Sequence, residues 1–574
     1  MKIAKVGVLY ENDTATRNWA NGKNEFGLYI MEIFEHLRLP YEVLDHVQDI
    51  ESFDLVIPII MDENPQTVHR LVRYVENGGI LVSYGGLESI RNQLGCLPSE
   101  PINYGYANLS EEFHQDTPLK FFQALPWDLT DGEIDRQIGY VSMSKDSDTR
   151  GKSALQQFKI GNGYIDRWSI NIPETIVKLQ QGVGPVVEDG EPAADGSANL
   201  NEGILKADDG FMLDWELDRE STASGVKYFA HPYADLWREV IVEHLVTRLL
   251  EKKKTLPLIG YWPASVKHMA HISHDSDLNV NESAQVTIDV LQEKNVQSTW
   301  CMIMPGYSLT IYEQLKENGH EIAFHYNALE SEDGEWGEKP FANQLTTVKA
   351  ATTEEHIVSN KNHYTRFEGW GKLFDWCEKY GIEIDQTRGP SKKGNIGFLF
   401  GTCHPYRPIA WADQQNRFYN VLELGFLTQD LNHHALADTS IIEPFLENVK
   451  RVDGVAHFLF HQYHIYTQTE VKKAILQLID TAKKQGFTFW TSKQINDWER
   501  SRRKIQIIDI DAGYQVRLDS SIEIKDVVVY IPISSSQAET MANDKKIVKR
   551  FGINCMEKVV SIKKNEVEHR GEVK

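Results

Sequence analysis

Two short stretches concentrate residues able to do acid–base and metal chemistry. His271-Ile272-Ser273-His274-Asp275-Ser276-Asp277 ends an apolar-alternating run with two carboxylates one residue apart. Gly319-His320-Glu321-Ile322-Ala323-Phe324-His325 ends a second strand-like run with a histidine. Carboxylate oxygen and neutral imidazole together suit zinc or a similar divalent ion. The same groups are the usual proton carriers of hydrolysis. Two successive strand ends that present them suggest the rim of a barrel, where ligands and bases collect. A capping aspartate and a structural histidine account equally well for either stretch taken alone.

Such residues must be held by elements, and the hydrophobic pattern supplies them. Residues 256–500 alternate strand and helix: helix 284–294, strand 297–302, helix 311–318, strand 321–324, helix 367–380, strand 455–460, helix 470–485 and strand 487–491. This rhythm predicts an αβ barrel or a barrel-like open sheet. Residues 1 to about 95 show a βαβ rhythm of their own, with strands at 3–10, 41–44, 55–60 and 80–84 and helices at 26–37 and 66–76. A parallel sheet covered by helices on both faces is expected there. The run 158–168 reads as a hairpin turning on Gly161-Asn162-Gly163. An acidic, Gly/Pro-bearing tract at 186–219 reads as a solvated loop or inserted arm, and 237–250 as an amphipathic helix. Beyond residue 502 short alternating segments predict a small all-β, sandwich-like unit with a frayed tail after 563. The expected domains are therefore 1–255 with its 186–219 insert, 256–500 and 501–574.

Whole-chain properties narrow the partners. A formal charge of −23 disfavours nucleic acid and anionic membrane surfaces, which need basic faces. Five cysteines, odd in number, widely spaced and never Cys-x-x-Cys, form neither a disulfide framework nor a zinc ribbon. No apolar run is long enough to span a bilayer, and the first residues lack a signal-peptide pattern, so a cytoplasmic location is expected. Self-association into a homo-oligomer stays open.

Four further segments make a resemblance specific. Lys361-Asn362-His363-Tyr364-Thr365-Arg366, Gly381-Ile382-Glu383-Ile384-Asp385, Gly397-Phe398-Leu399-Phe400-Gly401-Thr402 and Phe458-Leu459-Phe460-His461 follow the opening motifs in order. Residues 265–495 thereby resemble the polysaccharide deacetylase family (the NodB homology fold), whose members are metal-dependent N- and O-deacetylases, and the resemblance implies that family's distorted (β/α) barrel. Its T-F-D-D motif is closest here in the H-D-x-D form. The resemblance implies Asp275 as the catalytic base and Asp277 as a metal ligand, or the two roles exchanged. His325 matches the first histidine of H-x-x-x-H, but Leu329 stands where the second would be. His363 either supplies that missing imidazole or merely packs beside Tyr364. Lys361 takes the place of the family's arginine beside the base, and the Tyr364 N–H that of the oxyanion donor. Asp385 corresponds to the aspartate that partners the basic residue, and His461 to the general acid. His464 reads as a supporting or surface residue, and the pair His433-His434 as non-ligands. Leu399 replaces an arginine of the G-F-R-x-G-T segment, implying a changed substrate pocket.

By the same resemblance the cofactor is a divalent metal, with zinc expected, and the substrate a small acylated carbohydrate or glycan. A catalytically degenerate glycan- or metabolite-binding protein is the alternative, as is a metal-independent amide hydrolase acting on a small non-sugar molecule. Trp300, Trp336, Trp370 and Trp411 are candidate sugar platforms, although core packing is the commoner fate of tryptophan. Residues 330–339 form a candidate lid. The first domain resembles the flavodoxin-like fold of class I glutamine amidotransferases. Ser83-Tyr84-Gly85-Gly86 stands where their nucleophilic cysteine lies, so their chemistry is not expected.

Overall fold

The computed structural model describes residues 2–109, 112–130, 134–145, 151–198, 203–329, 335–433, 436–541 and 545–562. Its architecture is α/β, with two large sheets joined through shared helices and a smaller antiparallel sheet at the C-terminal end.

In the first sheet, Glu42–Leu44, Val6–Tyr10, Leu55–Ile60, Ile80–Tyr84 and Gly163–Trp168 lie side by side and parallel. In chain order this is 2-1-3-4-5, the order of a flavodoxin-like sheet. The expected hairpin (Lys152–Ile160 with Gly163–Trp168) then turns the sheet antiparallel, and it continues through Arg136–Ser142 and Ile102–Asn108 to Leu119–Ala124. Alternate residues face opposite cores: Val8, Ile57 and Val82 pack on one side, Leu9, Val56 and Leu81 on the other. Both faces are covered, which explains continuous apolar runs in place of alternation. The helix Asn12–Ala20 escaped the pattern because only Ala15 of it is buried.

The helix Tyr233–Glu251 departs from its amphipathic expectation. It is buried on nearly every side, polar positions included, because it is wedged between the first sheet and the barrel. Those polar positions are paired: His244 Nε2 lies 2.9 Å and Arg248 Nε 2.8 Å from Asp166 Oδ2, while Asp235 accepts from Thr402 Oγ1 and Cys403 N.

The barrel is a curled parallel sheet in the order 422–423, Ile384–Asp385, Ser359–Asn362, Glu321–Tyr326, Thr299–Met302, His268–Asp275, Val455–Leu459, 428–429, with Phe487–Phe489 beside the start of His268–Asp275. The two outermost strands belong to one run of chain. Leu422–Glu423 pairs with Ile384–Asp385, and five residues later Thr428–Gln429 pairs with Val455–Leu459. One segment thus links both edges of the sheet.

The acidic tract is an arm docked on the barrel, although Val187, Glu188, Glu191 and Asp195 along it are exposed. Val186 bridges Gly369 and Lys206 bridges Arg366, laying the arm along the barrel rim. Asp208 accepts from Ser391 N, Ser391 Oγ, Lys392 N and Asn395 Nδ2. The donors of Asp208 thus lie nearly two hundred residues further along the chain, whereas Asp195 and Asp214 take theirs from nearby residues such as Ser197 and Leu217. Residues 199–202 of the tract, 330–334 of the candidate lid, His434 and the tail after 562 lie outside the described residues.

The C-terminal sheet runs Leu258–Ile259, Ile524–Pro532, Ile553–Ile562, Ile547–Arg550, with a separate hairpin of Gln506–Ile510 and Val516–Asp519. It carries one helix, Ser535–Met541, that an all-β reading omits. Among the described residues no helix is long and apolar enough to cross a membrane. All five cysteines are buried free thiols.

Candidate active site

Five strand ends converge at the carboxyl edge of the barrel. Asp275 is the last residue of His268–Asp275, and Asp277 follows two residues on. His325 is the penultimate residue of Glu321–Tyr326, and Lys361 lies in Ser359–Asn362 with His363 just beyond it. Asp430 and His461 follow the strands Thr428–Gln429 and Val455–Leu459. This is where a barrel presents its chemistry.

The centre is a meeting of hydrogen-bond acceptors. His325 Nδ1 donates to the Lys361 carbonyl at 2.8 Å, and His363 Nδ1 to Asn327 Oδ1 at 3.1 Å. Both acceptors are oxygens, so in each neutral ring the proton sits on Nδ1 and Nε2 keeps its lone pair. Those lone pairs face Asp277: His325 Nε2 is 3.3 Å from Oδ1 and His363 Nε2 3.4 Å from Oδ2. His325 Nε2 and Asp277 Oδ1 are buried and form no hydrogen bond. A cation among these atoms would satisfy them. Zinc bonds of about 2.0–2.1 Å at tetrahedral angles separate ligand atoms by about 3.3 Å. The donor atoms of Asp277, His325 and His363 all lie within 4.8 Å of one another, so the three residues fit a divalent ion with an open position. The two Nδ1 bonds are the outer support that fixes ring tautomer in metal sites.

On one flank stands Asp275, its Oδ1 3.2 Å from the Lys361 ammonium. On the other, His461 donates through Nδ1 to Asp430 Oδ2, and its backbone N–H donates to Oδ1 at 2.8 Å. His461 Nε2 reaches to 3.4 Å from Asp277 Oδ2. Burial works against a charge on His461, but Asp430 and Asp277 outweigh it and hold its imidazolium well above the usual range. His464 Nδ1 adds a second contact to Asp430 at 3.0 Å, and His433 stacks on His464.

Tyr364 is 52% exposed and adopts φ +56°, followed by Thr365 at +53°. Two successive left-handed non-glycine residues are uncommon and cluster at functional sites. Outside its own helical turn, the Tyr364 N–H makes no backbone hydrogen bond among the described residues.

Asp385 is the correction. Its carboxylate accepts from Asn360 Nδ2, Thr387 Oγ1 and Thr387 N, and it is buried away from Lys361. The pleat is the reason. His325 pairs with Lys361 and Asn360 with Asp385, so the two pairs project from opposite faces of the sheet. The acid that serves the site is Asp430, which the motif reading missed because its strand is two residues long. Asn327, Ser273 and His457 were missed as well, since none bears a recognisable spacing.

No protein-family model matches the chain, and no curated protein sequence does. Solved structures give looser likenesses. A putative polysaccharide deacetylase from Mycobacterium smegmatis is 16% identical over 42% of this chain and 93% of its own, with a TM-score of 0.32. The Xyl-CE4 domain of a multidomain xylanase from the hindgut metagenome of Trinervitermes trinervoides is 14% identical over 40% and 90%, with a TM-score of 0.25. Gan42B, a GH42 β-galactosidase from G. stearothermophilus, is 16% identical over 29% and 27%, with a TM-score of 0.23. All three scores lie below 0.5, so the functional reading rests on the geometry of the site.

Proposed function

We propose that this protein is a metal-dependent hydrolase that removes an acyl group, acetyl foremost, from an amino sugar or other carbohydrate. The observation that carries this reading is the convergence of two Nε2 lone pairs on the Asp277 carboxylate, flanked by an ion-paired base and a charged imidazole. Asp277, His325 and His363 would hold the ion, with zinc the expected species. When bound it supplies Lewis-acid polarisation of the acyl oxygen and a lowered pKa for water. Asp275, ion-paired with Lys361, takes the proton of the attacking water. The Tyr364 N–H donates to the negative charge that develops on the acyl oxygen. His461, charged against Asp430, gives its proton to the departing nitrogen or oxygen. A covalent route has less support. Ser273 Oγ sits 2.8 Å from His457 Nε2, as a nucleophile–base pair would, but Ser273 is wholly buried and no acyl group can reach it. We further infer that the chain is organised as units 1–255, 256–500 and 501–574, with catalysis in the second.

Purified protein is assayed for metal by mass spectrometry and for release of acetate from N-acetylated and O-acetylated oligosaccharides. Stoichiometric zinc, with both zinc and acetate release abolished in Asp277→Ala, is the expected result. Turnover that survives chelation indicates a metal-independent hydrolase instead. Glycan binding without release of acetate indicates a binding protein.

A further inference from the structure

The mechanism above uses Lys361 but leaves open what aims a flexible ammonium in a buried site. Three further side chains meet it there: Ser273, His457 and the ring of Phe426. Lys361 Nζ lies 2.6 Å from Ser273 Oγ, and Ser273 Oγ lies 2.8 Å from His457 Nε2. His457 Nδ1 lies 3.1 Å from the Gly425 carbonyl. All three polar residues are fully buried.

The direction of every bond in this chain is fixed by chemistry. A carbonyl can only accept, so His457 carries its proton on Nδ1 and presents a lone pair at Nε2. Burial pushes the His457 pKa well below the ordinary value, so the ring is neutral. The lone pair at Nε2 takes the Ser273 hydroxyl proton, which leaves the Ser273 oxygen lone pairs to face the ammonium. Of the three ammonium protons, one goes to Ser273, and the charge they share lies 3.2 Å from Asp275 Oδ1 in an ion pair without a hydrogen bond. The ammonium also lies over Phe426, 5.0 Å from Nζ to the ring centroid. A lysine has four rotatable bonds, so each such contact removes freedom that would let it swing away from the base.

We propose that Ser273 and His457 are positioning residues that aim the Lys361 ammonium at Asp275, an assignment that rests on the hydrolase reading of this site. The polarity that His457 imposes on the Ser273 hydroxyl makes the serine an acceptor toward lysine. Reversal of that hydroxyl would set O–H against N–H and push the ammonium off the base.

Ser273→Ala is the first test, because it removes one buried oxygen without adding volume. A crystal structure of the zinc-loaded variant is expected to show Nζ withdrawn beyond 4 Å from Asp275, on the scale at which such a contact is lost. Acetate release is expected to fall about 10- to 100-fold in kcat with KM within about twofold, the mark of an interaction made at the reacting centre. Ser273→Thr, which keeps the hydroxyl, is expected to restore both. His457→Gln, whose amide can donate where His457 Nε2 accepts, is expected to lower kcat while zinc content stays at wild-type level. An unmoved ammonium together with unchanged kcat in Ser273→Ala overturns the proposal. If wild-type protein releases no acetate, the hydrolase reading fails on its own, and the position of Nζ in Ser273→Ala still decides the positioning claim.

Discussion

At the scale of single residues, the site depends on which ring nitrogen carries a proton. His363 presents a lone pair to Asp277 only while Asn327 Oδ1 accepts from its Nδ1. Asn327→Leu is therefore expected to weaken zinc binding about 10- to 100-fold, read by competition with a chromophoric chelator, while Asn327→Asp keeps the acceptor and most of the affinity. Much of this site was legible in the sequence: Asp275, Asp277, His325, Lys361, His363 and His461 lie at strand ends in linear motifs, and the structure brings them together. Asp385 illustrates the limit. Whether a strand residue faces the barrel or its helices depends on pleat phase, which shifts with a single residue of register. Asn327 was invisible for another reason, since an amide that orients a histidine has no spacing rule of its own.

At the scale of elements, buried parallel strands such as Leu55–Ile60, Ile80–Tyr84 and Val455–Leu459 were readable to within a residue or two, whereas the antiparallel strands Ile102–Asn108, Leu119–Ala124 and Arg136–Ser142 and two-residue strands such as Thr428–Gln429 were not. Between a loop and an inserted arm at 186–219 composition could not choose, because it cannot tell solvated acids from acids such as Asp208 that are paired with distant donors. The wedged helix Tyr233–Glu251 carries a consequence for stability. Burial, with Asp453 and Asp235 nearby and Arg451 opposing, raises Glu239 to about 8. The folded-state value exceeds the unfolded one, so the native state holds the extra proton between about pH 4.5 and 8. Stability from this group is present below that window and is lost as pH rises through it. Glu239→Gln is expected to flatten that slope and raise Tm at pH 8.5, measured by calorimetry across the range. A second element-level test concerns Gly397, where Phe229 of the first unit bridges to the barrel. Gly397 has φ +107°, and a Cβ there would come within 2.2 Å of the Phe229 carbonyl oxygen. Gly397→Ala is expected to cost at least about 1–3 kcal/mol, seen as a fall of several degrees in Tm.

At the scale of the whole molecule, an acidic surface suits a neutral or cationic substrate better than a polyanion. An ion bound at Asp277, His325 and His363 is present in the native state only. Zinc at a hundredfold excess over its Kd is expected to add about 2.7 kcal/mol to the unit that binds it, raising its Tm in wild type and leaving Asp277→Ala unmoved. The helix Tyr233–Glu251 has a further consequence. One continuous apolar core runs from Val8 and Ile57 of the first sheet through Trp237 and Leu245 to Phe398 and Phe458 of the barrel. Cutting the chain near residue 256 would leave each half with a raw hydrophobic wound instead of a surface. The two halves are therefore inherited together: a recombination that handed the barrel to another protein would have to take the helix along, or evolve a replacement for it in the same step.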